Sequence, residues 1–346
     1  MRDKIKWGVI GSGGIAKRRT IPEGIIPSGN GELAIVYDVN AEANAAVAKQ
    51  FNAKAVGSVA ELLKSDVDAV YVASPVNMHF EQVLACASAS KHVLCEKPLG
   101  MTVAEAKKMI SSCSDANVLL GVGLMMRFNT RHKEAKKMID KGMLGKPVYA
   151  RAQLSCWYPP IEGAWRQDPA KGGGGSLMDM GSHCLDLLEM FFGKAKQVSC
   201  FTASNVHDYK SEDSAVVSVM FENGAMGSVD TYFCIPDDSS KNILELYGSN
   251  GSIIAKGTIG QGADGEMTAY LQNVTGSYNA EQSRSNGNGM NVSPEPVNTY
   301  RAEIEEFGNA ILENREPLNS FVHGLRSLEV LEACYKSART GKVIHL

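Results

Sequence analysis

"WGVIGSGGIA", residues 7–16, runs an apolar, strand-like segment straight into a glycine-rich turn. Gly11, Gly13 and Ala16 stand at the spacing G-x-G-x-x-A. In that pattern the first glycine permits a tight turn and the second lets backbone approach a pyrophosphate. The small third residue allows close packing of a helix whose N-terminus faces the phosphates. One such match carries little by itself, but here a series follows it. Apolar runs at 33–38, 69–74, 92–97 and 118–123 alternate with segments at 40–51, 77–90 and 102–117, whose apolar positions recur every three or four residues. That rhythm predicts a parallel sheet with crossover helices. Asp38 closes the second run, where a carboxylate accepts hydrogen bonds from an adenosine ribose and repels a 2′-phosphate. Val39 follows it with no arginine near in sequence, so NAD is favoured over NADP, held by Gly11, Ser12, Gly13, Gly14, Ile15 and Asp38.

The rhythm changes after about residue 145. Longer strand-like runs at 147–158, 196–206, 214–235 and 242–257 include two that fold about ENGA and SNGS, which are hairpin turn chemistry. The fold expected is an α/β Rossmann domain over 1–125, then an α+β domain over 126–346 with a large, mostly antiparallel open sheet. Residues 275–297 are too polar and too rich in Gly, Asn, Ser and Pro to pack, and read as a long loop. Helical segments at 298–314 and 324–340 close the second domain or return to the first.

With 346 residues, 44% hydrophobic and 21% charged, the composition is that of a globular protein of about two domains. A formal charge of −3 without a Lys/Arg-rich run argues against a nucleic-acid partner. There is no signal-peptide core and no apolar stretch near the ~20 residues of a membrane span. The expectation is therefore a cytoplasmic protein with no membrane partner. Eight scattered cysteines without a C-x-x-C pair read as reduced thiols. His183 and Cys184 are adjacent, which on a helix turns them ~100° apart, and no second cluster joins them; no metal is expected.

Within the apolar helix read at 174–193, Asp179, His183 and Asp186 follow one another at spacings of four and three, on one face. A helix that only filled a core would not choose them. Three further stretches bear on their role: "ASPVNMH" at 73–79, "CEKPL" at 95–99 and "MDMGSH" at 178–183. Together with the glycine turn and the antiparallel second half, they make the whole chain resemble the glucose-fructose oxidoreductase / inositol dehydrogenase (Gfo/Idh/MocA) family.

That resemblance implies roles residue by residue. Lys97 matches the family lysine at the reacting carbon, and Asp179 and His183 its acid and base pair. Ser74, Pro75, Asn77 and His79 match the turn on the nicotinamide side, with Glu96 beside Lys97. "WRQDPAKGGGG" at 165–175 looks like the substrate loop, which puts Trp165, Arg166 and Asp168 at the pocket, while Arg127 is expected near the cofactor ribose. Oxidation of a secondary alcohol needs a base for the hydroxyl proton and a cation for the developing alkoxide, which His183 and Lys97 would supply. Asp186 is expected to fix the His183 tautomer from behind. Plainer roles exist for several of these: Asp179 or His79 as helix caps, Arg166 and Asp168 as a surface pair, and the glycine run as a linker rather than a close approach to ligand.

The expectation is an NAD-dependent dehydrogenase acting on a carbohydrate or polyol, assembled as a homodimer or homotetramer through the second sheet. Two alternatives stand beside it. One is a glycosidase that oxidises and re-reduces its sugar around an elimination; the other is a non-catalytic sugar sensor.

Overall fold

The computed structural model describes residues 4–272 and 289–346. Its first sheet has six strands: β1 (Ile5–Ile10), β2 (Gly31–Tyr37), β3 (Lys54–Ala55), β4 (Ala69–Val72), β5 (His92–Glu96) and β6 (Leu120–Gly123). They run parallel in the order β3-β2-β1-β4-β5-β6, the doubly wound order in which the chain reverses direction between β1 and β4. Val70, Val72, Val93 and Val122 are fully buried, as expected of strands covered on both faces by helices. The crossover helices start where their side chains accept: Asn40 takes the Ala43 N–H and Thr102 the Glu105 N–H.

The second sheet contains β7 (Pro147–Ser155), β8 (Ala195–Ala203), β9 (Ser214–Phe221), β10 (Met226–Tyr232), β11 (Ile243–Gly248), β12 (Gly251–Lys256), β13 (Glu266–Leu271), β14 (Met290–Asn291) and β15 (Ile344–His345). The order is β14-β13-β12-β11-β7-β10-β9-β8-β15, antiparallel except between β7 and β10. Both expected hairpins form: β9 and β10 turn through Glu222–Ala225, and β11 and β12 turn at Ser249–Asn250. Of the loop expected at 275–297, residues 275–288 lie outside the described residues. Met290–Asn291 is a short strand at the sheet edge rather than loop.

One face of the second sheet packs on the helix Ser182–Phe192, whose Leu185, Leu188 and Phe192 are buried, and on the helix Phe321–Thr340. The helix Thr299–Glu313 returns to the first sheet, where Phe307 meets Trp7 at 5.8 Å between ring centroids. Asn319 then accepts the Val122 N–H at the end of β6. These returns hold the carboxyl ends of the first sheet against the helix at Leu177–Phe192. Among the described residues no helix is long and apolar enough to cross a membrane.

Candidate active site

Gly11 takes left-handed backbone (φ 82°), and a Cβ on it would stand 2.6 Å from the Ser74 nitrogen. Only glycine fits where the ends of β1 and β4 approach so closely. Gly13 donates its N–H to Asp38 Oδ2 (2.8 Å) and Asn40 donates to Oδ1 (2.9 Å), which turns the carboxylate toward the glycine loop with lone pairs to spare. Ser12 faces inward, its hydroxyl on Asn44 Oδ1. A Cβ on Gly14 would meet nothing within 4 Å, and Gly14 and Ile15 open onto a cavity of about 540 Å³. An open backbone at the start of a helical segment, with a carboxylate at the end of the second strand, fits a dinucleotide.

The cavity continues past Ser74, His79, Glu96 and Lys97. His79 is buried between the loops after β4 and β5, with Nε2 3.0 Å from the Ser74 carbonyl and Nδ1 3.0 Å from the Pro98 carbonyl, and a neutral ring donates to one of the two. Burial holds its pKa below the ordinary value. Tyr71 donates its hydroxyl to Glu96 Oε1 (2.5 Å) and the Lys97 N–H reaches Oε2 (3.2 Å). Burial outweighs these donors and raises the Glu96 pKa.

Across the cavity, Lys97 Nζ donates to both Oδ1 and the backbone carbonyl of Asp179, each at 2.7 Å. Arg166 Nε stands 3.0 Å from Oδ2 in an ionic contact without a well-directed hydrogen bond, and its guanidinium lies 4.1 Å over the Trp165 ring. Burial alone would raise the Asp179 pKa, but the Arg166 and Lys97 charges overcome it and hold the group far below the usual carboxylate range. Asp179 is thus an anion clasped by two cations. His183, 8% exposed, enters the same cavity from the next turn. Burial first, then the Lys97 charge, push its pKa well down while Asp179 opposes them. Its Nδ1 is buried with no hydrogen-bond partner among the described residues. A neutral imidazole beside an ammonium can accept a proton whose departing charge the ammonium stabilises.

The structure therefore brings Glu96, Lys97, Trp165, Arg166, Asp179 and His183 together, with Ser74 and His79 on the same wall. Five residues stand elsewhere. Arg127 forks onto Asp186, Nε to Oδ2 and Nη2 to Oδ1, both 2.7 Å. Two nearly buried opposite charges satisfy each other, so Arg127 does not line the cavity and Asp186 makes no bond to His183. Asp168 caps the short helix Pro169–Gly172 through the Ala170 N–H (3.2 Å) instead of facing the cavity. Pro75 starts the turn Val76–Met78 and Asn77 is exposed on it; the cavity wall there is Ser74 and His79.

Arg18, Tyr158 and Tyr300, which no sequence motif singles out, also line the cavity. Arg18 lies four residues after Gly14 and Tyr158 follows the end of β7, so position marks both. Nothing in the amphipathic pattern of Thr299–Glu313 marks Tyr300.

Residues 5–124 match the family model described as oxidoreductase family, NAD-binding Rossmann fold, and residues 136–346 match its C-terminal alpha/beta domain. The chain is 30% identical to 1,5-anhydro-D-fructose reductase of Ensifer adhaerens over 345 residues, 99% of this chain and 98% of that one. It is 27% identical to D-xylose 1-dehydrogenase (NADP(+)) 2 of Haloferax volcanii, covering 98% and 99% of the two chains. The crystal structure of aldose-aldose oxidoreductase from Caulobacter crescentus complexed with glycerol superposes with a TM-score of 0.88 at 26% identity, over 99% of this chain and 100% of that chain.

Proposed function

The chain belongs to the Gfo/Idh/MocA oxidoreductase family, and on that premise we propose that it is an NAD-dependent dehydrogenase oxidising a secondary hydroxyl of a sugar, polyol or glycoside. One observation carries the reading: a single cavity joins the open backbone of Gly14 and Ile15 to the Lys97–Asp179–Arg166 cluster and to His183, whose Nδ1 has no partner among the described residues. The names of the relatives, an anhydro-sugar reductase and a xylose dehydrogenase, support the substrate class. The xylose dehydrogenase is named for NADP, so the preference for NAD rests on Asp38 and on Val39, which is 90% exposed.

When bound, the dinucleotide supplies the two-electron acceptor. His183 takes the substrate hydroxyl proton, and the Lys97 ammonium faces the oxygen on which negative charge builds. Asp179 holds that ammonium by two bonds and counters its effect on the imidazole. Arg166 secures the other carboxylate oxygen and, stacked on Trp165, forms a wall for the substrate ring. The reading includes a homodimer or homotetramer through the outer face of the second sheet, where Phe201, Val216, Met220 and Met226 are exposed.

The test is to incubate the protein with NAD and a panel of sugars, inositols and glycosides while following NADH fluorescence. A dehydrogenase accumulates NADH with at least one of them. Cleavage of a glycoside with no net NADH favours the redox-elimination glycosidase, and sugar binding without any turnover favours a sensor.

A further inference from the structure

We propose that Glu212 is a positioning residue for the reaction: reaching across from the residue before Asp213 and β9, it sets the start of the helix that carries Asp179 and His183. The inference rests on the proposed catalytic role of that helix. Glu212 Oε1 accepts the Gly175 N–H (2.9 Å), the Leu177 N–H (3.1 Å) and the Tyr335 hydroxyl (2.8 Å). Its main-chain carbonyl accepts the Ser176 N–H between them (3.1 Å). Three consecutive N–H groups, which a helix start leaves without intrahelical partners, therefore end on one residue.

The source of this cap matters. Ser176 occupies the cap position of Leu177–Gly181 but makes no side-chain capping bond; its hydroxyl goes to the Thr231 carbonyl. A cap from within the segment would stabilise the helix wherever the helix moved. A cap from Glu212, 37 residues on in sequence and held in turn by Tyr335 of Phe321–Thr340, ties the helix start to the second sheet and to the C-terminal helix. Asp179 follows two residues after the last capped N–H, and its own N–H bonds back to the Gly175 carbonyl (3.0 Å). A shift at Gly175 thus reaches the carboxylate between Lys97 and Arg166, and His183 one turn later.

The glycine run acquires its reason here. A Cβ on Gly174 would stand 1.9 Å from the Tyr335 hydroxyl oxygen, and one on Gly175 would stand 1.9 Å from the Glu212 carbonyl oxygen. Neither residue lines the catalytic cavity. At Gly174 and Gly175 the run lets Tyr335 and Glu212 close on the helix start.

The experiment compares Glu212→Ala, Glu212→Gln and Gly175→Ala with the wild type in the full-length protein. It reads kcat with the substrate found by the panel, calorimetric NAD affinity, and the His183 ring titration by NMR, with His183→Asn identifying the resonance. Glu212→Ala and Gly175→Ala are expected to lower kcat about 10–100-fold by misplacing the reacting groups while NAD affinity holds. The His183 titration should move up toward the ordinary imidazole range as water gains access. Glu212→Gln, whose amide oxygen can still accept the three donors, should recover kcat to within about 3-fold and restore the titration. If Glu212→Ala does not fold, Gly175→Ala removes no polar group and carries the same comparison. Wild-type titration in both disruptive variants, with only a lower melting temperature, would overturn the positioning role. Undiminished turnover in His183→Asn would instead overturn the catalytic reading, and the titration comparison would still decide whether Glu212 places the helix.

Discussion

Removing Lys97 and removing Asp179 should drive the acid limb of the activity profile in opposite directions. The two charges are 2.7 Å apart, so at His183 their fields largely offset, and deleting one exposes the other. Lys97 lowers the His183 pKa and Asp179 raises it. Lys97→Met takes away a cation, so the imidazole pKa rises and the limb moves to higher pH. Asp179→Asn takes away the anion and leaves the Lys97 charge unopposed at the ring, so the limb moves to lower pH. Residues four apart on a helix sit roughly 5–6 Å from each other. A unit charge at about 6 Å with an effective dielectric of ~20 contributes nearly 3 kcal/mol, or about 2 pH units. Water in the cavity reduces this, so shifts of about 1 unit or more, of opposite sign, are expected. Asp179→Asn should also lose stability, on the order of 3–5 kcal/mol, because it breaks a largely buried ion cluster; a melting curve fixes the working temperature. The assay is kcat/KM against pH on the residual activity of each variant, with the His183 ring titration alongside. Shifts of the same sign, or no shift in either variant, would refute the assignment of His183 as the titrating base between these charges.

His183→Asn should lower turnover by ~10²–10⁴, the usual range for a lost general base, with NAD affinity by calorimetry unchanged; near-wild-type turnover would reject its role. NAD should bind more tightly than NADP, and Asp38→Ser combined with Val39→Arg should narrow the gap; tighter NADP binding to the wild type would sink the argument from Asp38. Phe201, 75% exposed and paired across the sheet with Val216, should anchor the subunit contact, so Phe201→Glu should lower the mass seen by light scattering, and a monomeric wild type at micromolar concentration would contradict the assembly. His132 is buried against the Met126 carbonyl and the Thr258 hydroxyl, and burial lowers its pKa to about 4. The unfolded chain takes up this proton first as pH falls, so stability present above pH ~6.5 should decline by up to roughly 3 kcal/mol by pH ~4. His132→Gln should flatten that decline in urea melts across this pH range, and an unchanged slope would refute it.

Features written into neighbouring residues could be read before any coordinates. The strand, glycine turn and helix at 5–25 follow from local conformational limits, the two hairpins from Asn-Gly turns, and the shared face of Asp179 and His183 from a helical spacing, while their meeting with Lys97 in one cavity is what the family resemblance implies. The choice of partner for a charge was not legible, because it depends on chain segments far apart. Asp179 and Asp186 are seven residues apart, a spacing that reads as one stripe of an α-helix, although Asp179 lies in the wider π-helical turn Leu177–Gly181 that precedes the α-helix Ser182–Phe192. Their side chains are chemically identical, and two arginines, Arg127 and Arg166, were available to either. The folded chain gives Arg127 to Asp186 in a bidentate pair and leaves Asp179 to Arg166 and Lys97. Had the arginines exchanged places, the helix would have kept its packing, its apolar face and its sequence pattern. The arginine stacked on Trp165 in the cavity wall would then be a different residue, from a different part of the chain. The spacing names the candidates, and the long-range pairing decides which of them meets the substrate.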